Sequence, residues 1–362
     1  MKRRDFLGAA LAGAAACSGQ RAGGEGPAVV TGERVQWRLA SSFPRSLDTI
    51  YGAAEVMAER VSAMTDGRFT IRVYPAGELV PALQVMDAVQ RGTVQVGQTA
   101  SYYYLGKNPA LAFDTCVPFG LTARQQAAWL LEGGGLDLVN ERFADFGIVS
   151  VPGGNTGVQM GGWFSRPMTS VGDLQGLKIR IPGMGGAVME RLGAAPQTIA
   201  GGEIYTALER GAIDATDWVG PYDDEKLGFH KIAKTYHYPG WWEPGPSLSF
   251  YFHQPTFDAL PASYREILRA ACAESGVAMQ TRYDARNPAA LQRIREAGVD
   301  VRPFTEDLMA AARDASRALL EEEAGKDPAY RKIYEQWDAF RRASFGWFDT
   351  AERAYADFAF RS

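Results

Sequence analysis

Residues Leu177-Lys178-Ile179-Arg180-Ile181-Pro182 repeat, in residue type and spacing, an earlier segment, Phe69-Thr70-Ile71-Arg72-Val73-Tyr74-Pro75. In both segments apolar residues alternate with polar ones, which is typical of a strand with one buried face. Residues 87–96 and 206–215 form a second repeated pair, each with the end of a helix, a glycine and a strand. Because strands that alternate with helices favour βαβ units, these repeats predict two similar α/β lobes with parallel sheets.

The sequence before the first repeat supplies further elements of one lobe. Residues 36–40 predict a strand, and Ile50, Met57 and Val61 lie at helical spacing. Gly67 is expected to end this helix in a left-handed conformation, which glycine adopts without steric cost.

The repeats and the later helical stripes also predict how the chain is divided. We predict that 31–158 with 246–290 form one lobe, and that 159–245 with 291–325 form the other. Ligands of open α/β sheets bind beyond the carboxyl ends of the strands, so facing lobes predict a ligand cleft that closes about a hinge. Residues 326–362 predict a helical C-terminal tail. Its last aromatic stripe either packs on the lobes or contacts a second subunit, and comprises Trp347, Tyr355 and Phe358.

The first 30 residues predict an export signal and a flexible tether. A basic start with Arg3-Arg4 precedes an apolar run that ends in Ala14-Ala15-Ala16, just before Cys17. The paired arginines are typical of the twin-arginine type of signal, so we predict a periplasmic location. Either Cys17 is lipidated or the signal is cleaved in the ordinary way, and the glycine-rich residues 18–26 suit a tether.

The composition suits a soluble protein with a substantial core. The 362 residues and 46% hydrophobic content allow two domains. A net charge of -4 argues against a nucleic-acid partner, because such proteins usually carry a basic face. The sequence has no Gly-x-Ser-x-Gly, His-Glu-x-x-His, Cys-x-x-Cys or Gly-Lys-Ser/Thr motif, which argues against an enzyme without excluding one; we predict that the protein is not an enzyme. Cys116 and Cys272 either pair or are buried separately.

Four unusual segments, polar, aromatic or glycine-rich, are candidates for the binding site. They are 152–164 with Asn155 and Gln159, residue Arg180, 216–226 with Asp217 and Trp218, and 238–246 with Glu243. Together with 39–44 and 76–79, these segments resemble the extracytoplasmic solute-binding subunit of tripartite ATP-independent periplasmic (TRAP) transporters. The resemblance covers about 35–340, and 153–163 and 218–226 are especially similar to the branch that binds 2-oxo acids with a metal ion.

The resemblance implies a fold like that of type II periplasmic binding proteins and a transport function. Members of the family bind a small carboxylate, in this branch a 2-oxo acid such as pyruvate, between two α/β lobes. They deliver it to membrane-embedded partner subunits that use an ion gradient. Two other functions remain open: a metal-dependent, lyase-like enzyme acting on 2-oxo acids, and a sensory binding domain.

The resemblance also implies a metal and solute cluster. Arg180 is expected to hold the solute carboxylate through two parallel hydrogen bonds. Asp217 and Glu243 would repel an anion unless a cation lies between them, since a bound cation reverses the local charge balance. The implied cation ligands are oxygens of Gln159, Asp217, Trp218 and Glu243, with sodium as the expected ion and calcium as the alternative. Related proteins tend to carry Glu where this chain has Asp217.

The remaining candidates are expected to form walls or turns. Tyr102, Tyr103, Phe43 and Trp218 are candidates for the pocket wall, although core packing is the alternative for the tyrosines. Asn155 is a polar candidate for solute binding. Asp223, Asp224 and Glu225 are expected to be the solvated face of a turn, with no metal. The aromatic C-terminal helix is a candidate contact for a homodimer.

Overall fold

The computed structural model describes residues 34–361; the predicted signal peptide and Cys17 lie outside these residues. In the described part of the chain, eleven strands form two sheets. The strands are β1 (Val35–Ser41), β2 (Phe69–Tyr74), β3 (Val96–Thr99), β4 (Ile148–Asn155), β5 (Trp163–Phe164), β6 (Lys178–Arg180), β7 (Ala195–Gln197), β8 (Ala215–Thr216), β9 (Thr235–Tyr238), β10 (Ser247–His253) and β11 (Asp300–Pro303).

Helices cover the sheets and form the C-terminal part of the chain. The α-helices are α1 (Ile50–Met64), α2 (Val85–Gln90), α3 (Ala112–Thr115), α4 (Ala123–Leu131), α5 (Gly135–Ala144), α6 (Gly183–Arg191), α7 (Ile204–Glu209), α8 (Pro221–Leu227), α9 (Gln254–Asp258), α10 (Ala262–Glu296), α11 (Glu306–Lys326), α12 (Pro328–Phe348) and α13 (Ala354–Ala359). A short 3-10 helix, Ser101–Tyr104, follows β3, and a π-helical turn, Asp349–Arg353, separates α12 from α13. Within residues 34–361 no helix combines the length and apolar character that a membrane span requires.

Both sheets are mixed, which corrects the prediction of purely parallel sheets. The first has the order β2-β1-β3-β10-β4 and the second the order β11-β9-β5-β8-β6-β7. In the first sheet β10 runs antiparallel to both of its neighbours, and in the second β5 does the same. The chain enters each of these strands from the other sheet and not through a crossover helix of its own sheet, so the rule for βαβ units does not apply to them.

The repeated segments form corresponding strands, as predicted. β2 pairs in parallel with β1, and β6 pairs in parallel with β7 and β8. Helix α1 spans Ile50–Met64, and Gly67 has a φ angle of +72° just beyond it. The first sheet takes its strands from 35–155 and 247–253, and the second from 163–238 and 300–303. The predicted fold of two α/β units with a helical C-terminal region is therefore confirmed, while the residue boundaries of the lobes stay a prediction.

Helix α10 is 35 residues long and contacts β4 of the first sheet and helix α8, which follows β8 of the second sheet. Near its middle, the Ser275 hydroxyl donates a hydrogen bond to the Gly153 carbonyl of β4 at 2.8 Å. Near its end, Arg293 Nη2 donates to Glu225 Oε2 of α8 at 2.6 Å. Pro288 lies inside the helix between these contacts.

The C-terminal helices differ in how they use their aromatic residues. Helix α12 buries Tyr330, Ile333 and Trp337, and the rings of Tyr330 and Trp337 pack edge-on against Phe113. The last aromatic stripe instead stays exposed: Trp347, Tyr355 and Phe358 are 62%, 71% and 84% exposed. The two cysteines of the described chain are both buried and free, which decides between the alternatives left open by the sequence.

Candidate functional site

Backbone hydrogen bonds bring the four candidate segments together. Arg180 ends β6, and its carbonyl accepts a hydrogen bond from the Asp217 N–H at 3.0 Å. The Gln159 N–H donates to the Glu243 carbonyl at 3.2 Å, and the Gly240 N–H donates to the Gln159 carbonyl at 2.8 Å. Residues 37 to 84 positions apart in sequence are therefore held side by side by main-chain hydrogen bonds alone.

The Arg180 side chain is 2% exposed and is fixed by protein oxygens. Its Nε donates to the Ile199 carbonyl at 3.1 Å, and its Nη1 donates to the Asp217 carbonyl at 2.9 Å. Nη1 also lies 3.3 Å from Asp217 Oδ2. The guanidinium sits over the Trp218 ring, 5.1 Å from its centroid, an arrangement that favours a desolvated cation.

A small cavity lies beside this guanidinium and is bordered by elements from both sheets. Its lining comprises Phe43, Ile50, Tyr102, Tyr103, Thr156, Gln159, Arg180, Trp218, Val219 and Leu248. Its free volume is about 10 Å³, close to the minimum for one water molecule. The lining residues from the two sheets therefore leave almost no open space between them. A larger surface groove of about 530 Å³ beside Phe345 and Phe348 contains no buried polar atom that lacks a partner.

Two buried acceptor oxygens at this site have no hydrogen-bond partner. They are Gln159 Oε1 and Glu243 Oε1, on side chains that are 3% and 2% exposed. The other oxygen of Glu243 accepts a long hydrogen bond of 3.3 Å from the Tyr102 hydroxyl. Trp218 Nε1 is a buried donor without a partner. Buried polar groups are nearly always satisfied, so this concentration of unpaired atoms indicates a place for a polar ligand.

Without a bound cation, the environment of the two carboxyl groups of the site disfavours their ionised forms. Burial raises the pKa of Asp217 to about 7, against the opposing influence of the Arg180 guanidinium. Burial, and next the repulsion from Asp217, raise the pKa of Glu243 well above its usual value. Trp242 Nε1 donates to Asp217 Oδ1 at 2.9 Å, so Asp217 is the better satisfied of the two.

The donor set suits a hard cation. A carboxylate oxygen and an amide oxygen without partners are the ligand types that sodium and calcium prefer. Across residues 34–361 no group of three His, Cys, Asp or Glu side chains is placed to hold a metal. The arrangement therefore suits a hard cation, which binds carboxylate, amide and main-chain oxygens, and not a metal that prefers soft ligands.

Comparison with known proteins identifies the family. The model of the bacterial extracellular solute-binding proteins, family 7 (DctP), matches residues 40–327. The chain belongs to this family. A monocarboxylate 2-oxoacid-binding periplasmic protein from a Nostoc species is 53% identical over 90% of this chain and 89% of its own length.

Solved structures of TRAP transporter solute-binding proteins share the fold of this family 7 protein. One from Colwellia psychrerythraea, with bound calcium and pyruvate, is 40% identical with a TM-score of 0.87 and coverage of 90% and 99%. One from Pseudoalteromonas atlantica, with bound sodium and pyruvate, is 42% identical with the same TM-score and coverage. One from Bordetella bronchiseptica, a dimer with calcium and picolinate, is 46% identical with a TM-score of 0.90 and coverage of 91% and 98%.

Some positions in this family 7 protein differ from the expectations. Asn155, Asp217 and Glu243 are not among the residues that line the cavity. The Asn155 side chain donates to the Gly245 carbonyl and accepts from the Gly157 N–H, so it fixes a turn. Asp223 and Asp224 are 0% and 1% exposed, so the prediction of a solvated face is wrong for both. Their side-chain hydrogen-bond donors come from residues 12 to 174 positions away, a relation that local sequence does not show.

Four cavity residues were not among the sequence candidates: Ile50, Thr156, Val219 and Leu248. Ile50 and Leu248 had no distinguishing signal, because an apolar residue that lines a pocket looks like any core residue in the pattern of a helix or strand. Thr156 and Val219 lie inside the glycine-rich and Trp-containing segments already singled out. Their hydrogen bonds give them a role: the Thr156 hydroxyl accepts from Gln159 Nε2, and the Val219 carbonyl accepts from the Met160 N–H.

Proposed function

We propose that this protein is the periplasmic receptor of a TRAP transporter that binds a 2-oxo acid, such as pyruvate, together with a cation. The observation that carries the proposal is the buried Arg180 guanidinium beside two buried acceptor oxygens without partners, on Gln159 and Glu243. A cation on the acceptor side and a carboxylate on the guanidinium side would satisfy both. The 2-oxo acid class is supported by the name of the Nostoc relative and by the pyruvate bound in two related structures.

Arg180 is the residue we assign to the solute carboxylate. Its Nε and Nη1 are already engaged by protein oxygens, so we expect the carboxylate to meet the guanidinium through Nη2, and not through the two parallel hydrogen bonds expected from the sequence. The fixed side chain loses little conformational freedom on binding, which favours affinity. The unpaired indole N–H of Trp218 is a second donor at the same cavity and would meet a solute oxygen.

The oxygens of Glu243, Gln159 and Asp217, with the Trp218 carbonyl, are those we assign to the cation. When bound, such an ion supplies a positive charge that a carboxylate oxygen and a keto oxygen of the solute chelate together. The carboxyl groups must lose their protons to serve as ligands, and their raised pKa values mean that cation binding releases protons. Sodium and calcium both suit this oxygen set, and the two related structures contain calcium and sodium, respectively, each with pyruvate.

The closed cavity implies that the two sides separate before the solute enters. With about 10 Å³ of free volume, the cavity holds no organic acid in its present form. We propose that the two predicted lobes open about a hinge, bind solute and cation, and close again. Ligand favours closure only by binding the closed form better than the open one. The closed form would then dock on membrane-embedded permease subunits, and no chemical reaction of the solute is required.

Calorimetric titration tests the solute and the cation together. Pyruvate and longer 2-oxo acids are added to the protein with calcium, with sodium alone, and after exhaustive chelation in a potassium buffer. We expect binding with either cation and its loss when both are removed. The proposal is wrong if no 2-oxo acid and no 2-hydroxy acid binds under any of these conditions, or if incubation with pyruvate yields a product.

We also propose that the exposed aromatic stripe forms a homodimer contact. Trp347, Tyr355 and Phe358 are each more than 60% exposed on the last two helices, and large exposed apolar patches mark interaction surfaces. The Bordetella relative is described as a dimer. Light scattering on the native protein and on a Trp347→Ser, Phe358→Ser double variant tests the contact. A dimer that becomes a monomer in the variant is expected, and a native monomer would contradict the proposal.

A further inference from the structure

Asp224 is a buried carboxylate to which no binding role is assigned above. It lies in α8, is 1% exposed, and accepts four hydrogen bonds from the protein. Oδ2 accepts from Trp163 Nε1 at 2.9 Å and from the Tyr236 hydroxyl at 2.7 Å. Oδ1 accepts from the backbone N–H of Val219 at 3.2 Å and of Gly220 at 3.0 Å. Each oxygen of the carboxylate is therefore used twice.

The two oxygens join different parts of the molecule. Trp163 of β5 and Tyr236 of β9 are neighbours across the second sheet, and their rings stack with centroids 4.0 Å apart. Oδ2 is thus held by a rigid pair of side chains that rise from the sheet. Oδ1 holds the main chain immediately after Trp218, where the strand β8 has ended and regular pairing no longer fixes the backbone.

The segment that Asp224 holds carries part of the proposed site. It follows directly on Asp217 and Trp218, and Val219 itself lines the cavity. The Val219 carbonyl accepts a hydrogen bond from the Met160 N–H at 3.0 Å, so the same segment fixes the chain next to Gln159. A displacement of Val219 would therefore move ligand atoms on two of the segments that form the site.

We propose that Asp224 is a positioning residue for the binding site. Its hydrogen bonds connect the main chain of Val219 and Gly220 to the side chains of Trp163 and Tyr236. This role rests on the proposed function, because it concerns the affinity of the same site. The carboxylate does not touch the solute or the cation. It acts by holding the main chain that presents the Trp218 carbonyl and indole.

The chemistry of the four donors explains why an ionisable residue occupies a buried position. Four N–H or O–H groups converge on one side chain, and only a carboxylate offers two oxygens that both accept without donating. An amide would place a donor against two donors. Burial raises the pKa of Asp224 to about 7, so the position has an electrostatic cost that the four hydrogen bonds offset in part.

The test measures affinity and stability separately in the full-length protein. Asp224→Asn keeps the shape of the side chain but turns one acceptor into a donor. We expect its dissociation constant for pyruvate in the presence of calcium to rise by about tenfold or more, because a misplaced main chain lowers the affinity of the folded protein itself. Titrations are made well below the unfolding temperature of each variant, so that a lower melting temperature alone does not change the measured constant.

A pair of milder variants guards against a failure to fold. Tyr236→Phe removes one hydroxyl that donates to Asp224, and Tyr283→Phe removes the matching hydroxyl that donates to Asp223 at the same distance of 2.7 Å. We expect both to lower the melting temperature by similar amounts. Only Tyr236→Phe should also weaken pyruvate binding, by about threefold, since only its partner contacts the main chain after Trp218.

The outcomes separate this inference from the proposed function. If the wild type binds pyruvate and Asp224→Asn binds it equally well despite a lower melting temperature, Asp224 is merely structural and the inference is overturned. Equal affinities of Tyr236→Phe and Tyr283→Phe would overturn it as well. If the wild type binds no 2-oxo acid, the proposed function fails first and this inference falls with it.

Discussion

Two pairs of buried acids lie close together in this protein, and they are treated in opposite ways. Asp223 and Asp224 are satisfied by side-chain and main-chain donors on every side. Asp217 and Glu243 are equally buried, yet Glu243 keeps one oxygen without a partner and the other on a long bond. Burial alone therefore does not identify a binding site. The distinguishing property is a buried acceptor that the protein itself leaves unpaired.

The contrast has a thermodynamic consequence. A buried charge is tolerated when hydrogen bonds compensate for the lost hydration, as at Asp224. At Glu243 the compensation is missing in the protein alone, so a ligand that supplies it gains the corresponding free energy. We therefore assign the first pair to the fold, and we propose that a bound cation stabilises the second.

The largest expected effect is at Arg180, which contacts Asp217 of the second pair. Arg180→Ala removes the group assigned to the solute carboxylate, and we expect pyruvate affinity to fall by about a hundredfold or more, since truncating one partner of a buried charge pair is expensive. Arg180→Lys should bind almost as weakly, because an ammonium cannot reach the Ile199 and Asp217 oxygens and the solute together. Calorimetry measures both, with circular dichroism as the check on folding. Retained affinity in either variant would show that the carboxylate binds elsewhere.

The next prediction compares the thermal stability of one variant from each pair of acids. Asp224→Asn should destabilise the ligand-free protein by about 1–3 kcal/mol, because donors lose their acceptor in a buried place. Glu243→Gln should raise the melting temperature of the ligand-free protein at alkaline pH, because it removes a buried acid that has no partner for its charge. The same Glu243→Gln change should weaken calcium-dependent pyruvate binding by about tenfold. Thermal unfolding in the presence of a chelator measures the stability of both variants. If both are less stable than the wild type, the proposed difference between the two pairs of acids is wrong.

A smaller effect is expected on pH dependence. Burial raises the pKa of Asp217 to about 7, of Asp223 to about 6 and of Asp224 to about 7. Between the usual pKa of an aspartate and these values, the folded chain holds protons that the unfolded chain has released, so stability falls as pH rises through that window. We expect the melting temperature in chelator to drop by several degrees from about pH 4 to about pH 7.

Calcium should oppose this drop, because it binds the deprotonated carboxylates of Asp217 and Glu243 only. The stabilisation by calcium is therefore expected to grow with pH. A calcium effect that is equal at both ends of the range would mean that these acids are not its ligands.

The smallest effect is expected at Tyr102. Its hydroxyl donates to Glu243 Oε2 across 3.3 Å, a length at which a hydrogen bond is weak. Tyr102→Phe should therefore change pyruvate affinity by no more than about threefold. Tyr104→Phe provides the matched control: that hydroxyl bonds Thr99 and the Met86 N–H in the core, so its loss should lower the melting temperature without changing affinity.

Much of the fold was predictable because it depends on local pattern. The alternation at 69–75 and 177–182 produced β2 and β6, and the spacing of Ile50, Met57 and Val61 produced α1 with its left-handed Gly67. The antiparallel strands β5 and β10 were not predictable in the same way. Their direction is set by the route of the chain between the two sheets, which no window of sequence contains.

The site divides along the same line. Arg180, Gln159, Trp218 and Glu243 were predicted from unusual segments and from the family resemblance, and main-chain hydrogen bonds bring these segments together. The burial of Asp223 and Asp224 was not predicted, because a run of acidic residues in a turn has the composition of a solvated surface. Their burial depends on side-chain donors that are distant in sequence, namely Thr49, Trp163, Tyr236 and Tyr283.

The proline within α10 has a consequence for how the molecule deforms. Pro288 has no N–H to offer the carbonyl four residues earlier, so the helix is mechanically softest near that turn. On either side of it, Asn287 accepts from the Tyr222 N–H and Arg293 bonds Glu225, both on α8. We expect α10 to bend near Pro288 when the cavity opens, while its hydrogen bonds to α8 through Asn287 and Arg293 are kept.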